Sequence, residues 1–208
     1  MYEAFIAAFI ALFVIVDPIG IAPVFAGLTQ GTSKGHKRKM AIKGVVVATV
    51  IMVFFAFAGK PFLNALGISM DALRVAGGLM LFIIALEMVM EKRTERKQET
   101  ADKLDEYFED ISVFPIALPL LAGPGGIATI MLSMTPYEGQ YTHQAMVLLA
   151  LGVVMIMTLM TFLMAGKVME LLGPSVNAVL TRVLGIILAA LAAQYVLDGI
   201  YGTFIGPA

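Results

Sequence analysis

Six stretches of this 208-residue chain are long and apolar on every face: 3–28, 40–58, 72–90, 111–134, 145–165 and 183–197. No other feature narrows the possible folds as far. A spanning helix needs about 20 predominantly apolar residues, whereas a helix lying on a water-soluble core keeps a polar stripe. Runs such as Val45-Val46-Val47-Ala48-Thr49-Val50-Ile51-Met52-Val53-Phe54-Phe55 have no such stripe. The chain is 60% hydrophobic and 14% charged, against about 45–50% and 25% in ordinary globular domains. It therefore reads as an all-α membrane protein, one transmembrane domain (1–208) with six transmembrane helices and the lipid bilayer as its surroundings. With no Cys and only His36 and His143, disulfide frameworks, thiolate chemistry and zinc sites of several ligands are excluded. A formal net charge of −1 suggests no nucleic-acid partner. The first charge is Glu3 and no basic residue precedes Lys34, so the first helix is expected to be retained rather than cleaved as a signal peptide.

Orientation follows from the basic residues. Lys34, Lys37, Arg38, Lys39 and Lys43 lie between spans 1 and 2; Lys92, Arg93, Arg96, Lys97 and Lys103 between 3 and 4; Lys167 and Arg182 between 5 and 6. Only Lys60 and Arg74 fall on the other side. The positive-inside bias then places both termini outside and the basic loops in the cytoplasm. Tyr2, Tyr137, Tyr141 and Tyr201 would sit at the outer interface, a level that suits amphipathic rings. Residues 91–110, mixed in charge, read as a solvated cytoplasmic connector, with a docking or regulatory role as the alternative.

The chain also repeats itself. Ala58-Gly59-Lys60 returns as Ala165-Gly166-Lys167, Leu66-Gly67-x-Ser69 as Leu172-Gly173-x-Ser175, and Pro18-x-Gly20-Ile21-Ala22 as Pro124-x-Gly126-Ile127-Ala128, at a shift of about 106 residues. Arg74 and Gly77 match Arg182 and Gly185 slightly beyond it. The expected units are a first three-helix repeat (1–90), the charged connector (91–110) and a second three-helix repeat (111–208). Each copy has an odd number of spans, so the second must cross the bilayer inverted, an arrangement many secondary transporters use.

The first span of each copy, helices 1 and 4, is broken: Asp17-Pro18-Ile19-Gly20 in one, Gly123-Pro124-Gly125-Gly126 in the other. An interior Pro removes a hydrogen bond and clashes with the preceding turn. From Glu3 to Gly31 a straight helix would be about 44 Å long at 1.5 Å per residue, with Asp17 at its midpoint. Asp17 or Gly123 as N-cap with Pro18 or Pro124 at the first helical position starts a half-helix. The two positive ends would then converge at mid-membrane and hold an anionic group such as a carboxylate. Asp17, expensive at that depth, is either a structural cap or a contact for an ammonium, a cation or a proton. Thr129, Ser133, Thr158, Thr161 and Gln194 are further candidates for the cavity wall, although such residues also bond across ordinary membrane helices. Glu87 and Asp198, near helix ends, are explained by solvation.

These residues, namely Asp17-Pro18-Ile19-Gly20 with Pro23 beyond it, Ala122-Gly123-Pro124-Gly125-Gly126, about 200 residues and six spans, resemble the MarC family of bacterial and archaeal membrane proteins. The likeness covers essentially the whole chain; Ile21 stands where relatives often carry a polar residue. That family is grouped with LysE-type amino acid exporters and includes a small-neutral-amino-acid transporter. The resemblance implies a multi-pass protein of the inner membrane. The function expected is a secondary transporter of a small-molecule substrate, a neutral amino acid. It would work by alternating access around Asp17, Pro18, Ile19, Gly20, Gly123, Pro124, Gly125, Gly126 and Thr129, with no cofactor beyond a coupling H⁺ or Na⁺. No Walker A pattern is present. A passive channel, a non-transporting assembly protein and an intramembrane enzyme are the alternatives; the last lacks a nucleophile and base constellation, so no enzyme activity is expected.

Overall fold

The computed structural model describes residues 1–93, 96, 99 and 112–204, and every regular element among them is helical. In chain order these are α1 (Tyr2–Val16), α2 (Ala22–Leu28), α3 (Lys34–Ala65), α4 (Met70–Val89), a π-helix (Ser112–Leu121), α5 (Pro124–Met134), a 3₁₀ turn (Thr135–Tyr137), α6 (Tyr141–Leu163) and α7 (Ala165–Phe204). Most of the connector 91–110, including Lys103, lies outside the described residues.

Four helices are long and apolar enough to cross a bilayer: α3, α4, α6 and the 176–204 part of α7. Between 22% and 39% of each apolar window is buried inside the bundle, so most of that greasy surface faces outward. Val50, Phe54, Ile83, Leu149, Ile156, Val183 and Ile186 are all exposed. A water-soluble protein rarely exposes so much apolar surface; hydrocarbon around the bundle accounts for it. The other three main elements are short, with 15 residues in α1, 10 in the π-helix and 11 in α5.

Several basic residues expected in loops are helical. Ser33 caps α3, its hydroxyl accepting from the His36 N–H at 3.3 Å, so Lys34, Lys37, Arg38, Lys39 and Lys43 form the first turns of that helix. The chain turns only at Met164 before α7 begins, which puts Lys167 and Arg182 inside a 40-residue helix. Hydropathy marks only the apolar part of a helix, and Lys, Arg and Glu continue it readily into polar surroundings.

Packing follows a regular pattern. The largest interface joins α4 to α7; α3 packs on the π-helix and α5, α6 packs on α1 and α2, and α3 and α6 touch each other. Small residues bring α4 and α7 together, as is common between membrane helices. A Cβ at Gly78 would lie 2.8 Å from the Ala192 carbonyl oxygen and 2.7 Å from a Val196 methyl. A Cβ at Gly185 would lie 3.1 Å from the Ala85 carbonyl oxygen and 3.1 Å from a Val89 methyl. The core between these elements is filled by Leu12, Val16, Met52, Leu81, Met88, Ile116, Leu121, Ile130, Leu151 and Leu188.

Candidate functional site

The first break is built around Asp17. Its N–H closes the last turn of α1 on the Phe13 carbonyl at 2.9 Å, and its backbone is left-handed, φ 56°, a region that Asp tolerates better than most residues. The carboxylate then accepts from the Gly20 N–H at 3.0 Å, and the Asp17 carbonyl accepts from the Ile21 N–H at 3.1 Å. Together these bonds make one capped helical turn, as the Asp-Pro pair suggests. Regular helix nevertheless starts only at Ala22, because Pro23 has no N–H to close the next turn. Gly20 is required by its neighbour: a Cβ there would lie 2.7 Å from the Asp17 Cγ. The donor of Gly20 is thus taken by its own cap, and α2 has only seven residues. This end is closed on itself.

The second break is different. Gly123 is the N-cap of α5 with Pro124 in the first turn, and the first helical bond runs from the Ile127 N–H to the Gly123 carbonyl at 3.0 Å. Pro124 has no donor, and the N–H groups of Gly125 and Gly126 lie where a helix offers them no acceptor. A Cβ at Gly125 would lie 2.8 Å from Ile84 Cδ1 and 3.0 Å from Ile15 Cδ1. This start of α5 is therefore wedged between α4 and the last turn of α1.

Beside it is a cavity of about 110 Å³ lined by Gly123, Pro124, Gly125, Gly126, Ile15, Pro119 and three charged residues, Glu87, Arg93 and Arg96. Arg93 is 7% exposed. It donates to the Ile15 carbonyl in the buried last turn of α1 and to the Met88 sulfur at 3.0 Å. Burial pulls its guanidinium below the ordinary value, while the negative charges of Asp17 and Glu87 act in the opposite direction; an Arg keeps its proton under such a pull. Asp17 is 3% exposed, and its desolvation is offset by the Gly20 N–H and by this cation. Arg96 pairs with Glu87 Oε1. The other oxygen, Glu87 Oε2, is buried without a hydrogen-bond partner among the described residues.

Of the residues predicted for a site, Gly123, Pro124, Gly125 and Gly126 line the cavity, while Asp17, Pro18, Ile19, Gly20 and Thr129 do not. Thr129, Thr158 and Thr161 bond to the carbonyls four residues back, Gly125, Val154 and Met157, at 2.7, 2.8 and 2.9 Å. Gln194 donates to Asp198 at 2.7 Å. These are bonds within single helices. Sequence reading missed Glu87, Arg93 and Arg96 as cavity residues. Their one signal was three charges spaced over nine positions at the end of an apolar run, which solvation explains equally well.

Comparison with known proteins agrees with a membrane-embedded chain. The model of the MarC family of integral membrane proteins matches residues 2–204. A UPF0056 membrane protein of the archaeon Methanocaldococcus jannaschii is 38% identical, with 98% of each chain covered. The UPF0056 membrane protein YhcE of Escherichia coli is 33% identical over 99% of this chain and 95% of its own. YvbG of Bacillus subtilis is 32% identical over 98% and 97%. No solved structure matches. With the family model and full-length relatives in agreement, this chain belongs to the MarC family of integral membrane proteins.

Proposed function

We propose that the protein is a secondary transporter of a small zwitterionic solute, a neutral amino acid, bound in the cavity at the start of α5. One observation carries this reading: a helix N-terminus, two arginines and a carboxylate with a free oxygen line the same small cavity beside the end of α1. The solute carboxylate lies on the Gly125 and Gly126 N–H groups and the arginines, where the helix dipole and charge-assisted bonds act together. Its ammonium lies on Glu87 Oε2. Asp17 positions Arg93 from outside the cavity.

Six spans arranged as inverted repeats supply the movement. Four helices cross intact, and α1 with α2, and the π-helix with α5, complete the other two. Local bonds recur at the repeat shift: Ile21 to Asp17 at 3.1 Å matches Ile127 to Gly123 at 3.0 Å. The Thr29 hydroxyl on the Phe25 carbonyl, 2.8 Å, matches the Thr135 hydroxyl on the Met131 carbonyl, 2.9 Å. In its contacts Gly78, one residue beyond the Gly77 that the sequence pairs with Gly185, is the match: Gly78 against Ala192 and Val196, Gly185 against Ala85 and Val89. Such equivalence supports rocking of one repeat against the other; on this proposal both termini lie outside the inner membrane and H⁺ or Na⁺ is the coupling ion. The test is counterflow: proteoliposomes preloaded with unlabelled alanine should accumulate labelled alanine transiently. Uptake of no neutral amino acid, or flux without counterflow, contradicts a carrier.

A further inference from the structure

We propose that a second cavity, at the basic end of the bundle, binds the phosphate of an anionic phospholipid headgroup. The cavity, about 570 Å³, lies where α2 ends, α3 begins and α6 turns into α7, and its lining includes Lys34, Lys37, Arg38 and Lys167. No Asp or Glu lines it, and none of the four cations has a carboxylate partner among the described residues. Lys34, Lys37 and Arg38 stand in the opening turns of α3, and Lys167 in the first turn of α7. Neither helix has an acidic residue in its first turn. Helix N-termini favour negative charge, so two positive dipole ends and four cations converge with nothing of opposite sign between them. A local rule broken without internal compensation marks a place where a ligand supplies the missing term.

The repeat provides an internal control. At the other end of the bundle the end of α5, the start of α6 and the α3 to α4 turn enclose a cavity of about 290 Å³. It holds Lys60, the counterpart of Lys167, but pairs it with Glu138, and Gln144 stands where the first repeat has Arg38. One scaffold position is neutralised and the other is left strongly positive. The positive cavity also has an exposed apolar rim, Leu163 and Met164, 45% and 49% exposed. A free phosphate has no use for that rim, whereas an acyl chain lies on it while its headgroup phosphate meets the cations.

Native mass spectrometry of the purified protein in neutral detergent, titrated with phosphatidylglycerol or phosphatidylcholine, tests this. Phosphatidylglycerol should be retained preferentially, withstand millimolar inorganic phosphate, and be bound about fivefold more weakly for each cation removed. The variants are Lys34→Gln with Lys37→Gln on α3 and, separately, Lys167→Gln on α7, so a folding defect in one leaves the other informative. Lys60→Gln should change nothing. Equal retention of the two lipids, retention unaffected by either variant, or displacement by inorganic phosphate, which would indicate a free-anion site, overturns the proposal. Lipid retention is read without transport, so it stands or falls separately from the amino acid site.

Discussion

Asp17 does three things at once: it ends α1, caps the turn that follows and places a negative charge near Arg93. Its Asp-Pro pairing made the cap legible in the sequence, because a carboxylate before Pro is a helix-start signal. Its link to Arg93 was not legible, since 76 positions of sequence separate two residues that only the packing of α1 against the start of the connector brings together. Substitution should separate the roles. Asp17→Asn keeps an oxygen for the Gly20 N–H and tolerates φ 56°, losing only the charge. Asp17→Ala loses the cap, worth about 1 kcal/mol, and tolerates the left-handed backbone less well, another 1–2 kcal/mol or so. Thermal unfolding in detergent should therefore rank wild type above Asn and Asn above Ala, the last step being about 2–3 kcal/mol. Equal stability of Asn and Ala would remove the capping role.

Among the elements, α4 and α7 are held by close approach of small residues, and the similar contacts of Gly78 and Gly185 make a paired prediction. Gly78→Ala and Gly185→Ala each place a Cβ close to a carbonyl oxygen of the facing helix, and backbone cannot swing aside as a side-chain tip can. Each should cost about 1–3 kcal/mol by overpacking. Gly152→Ala, in α6 with nothing within 4 Å of the added carbon, should be neutral or stabilising by up to about 1 kcal/mol. A Gly152 variant as damaging as the other two would show that glycine flexibility, not contact, is what matters. Helix existence was legible from apolar runs, and the second break from Gly-Pro-Gly-Gly. Helix ends were not: hydropathy falls off where Lys34 and Lys167 begin, while the backbone helix is set by Ser33 and by the turn at Met164. The π-helical form of 112–121 also has no simple sequence signature.

At the scale of the molecule, the recurring motifs are the most readable property of the sequence, because matches at a shift of about 106 residues need no knowledge of packing. The structural difference between the two breaks was not readable. One break seals its own amide with Asp17, and the other leaves Gly125 and Gly126 beside a charged cavity; the motifs look alike until side chains are placed. Topology can be checked directly, since the chain has no Cys and every introduced thiol is the only one present. Lys34→Cys and Lys167→Cys should react with a membrane-impermeant maleimide only after cells are permeabilised, and Glu138→Cys should react in intact cells; the same response at all three positions would rule out the inverted arrangement. The most direct test of the proposed site is equilibrium binding of labelled alanine to the purified protein. Binding should be saturable and unchanged in Lys60→Gln, and weaker by about tenfold or more in Glu87→Gln and in Arg96→Gln, each of which removes a charged hydrogen bond. Equal binding in all four proteins would contradict it.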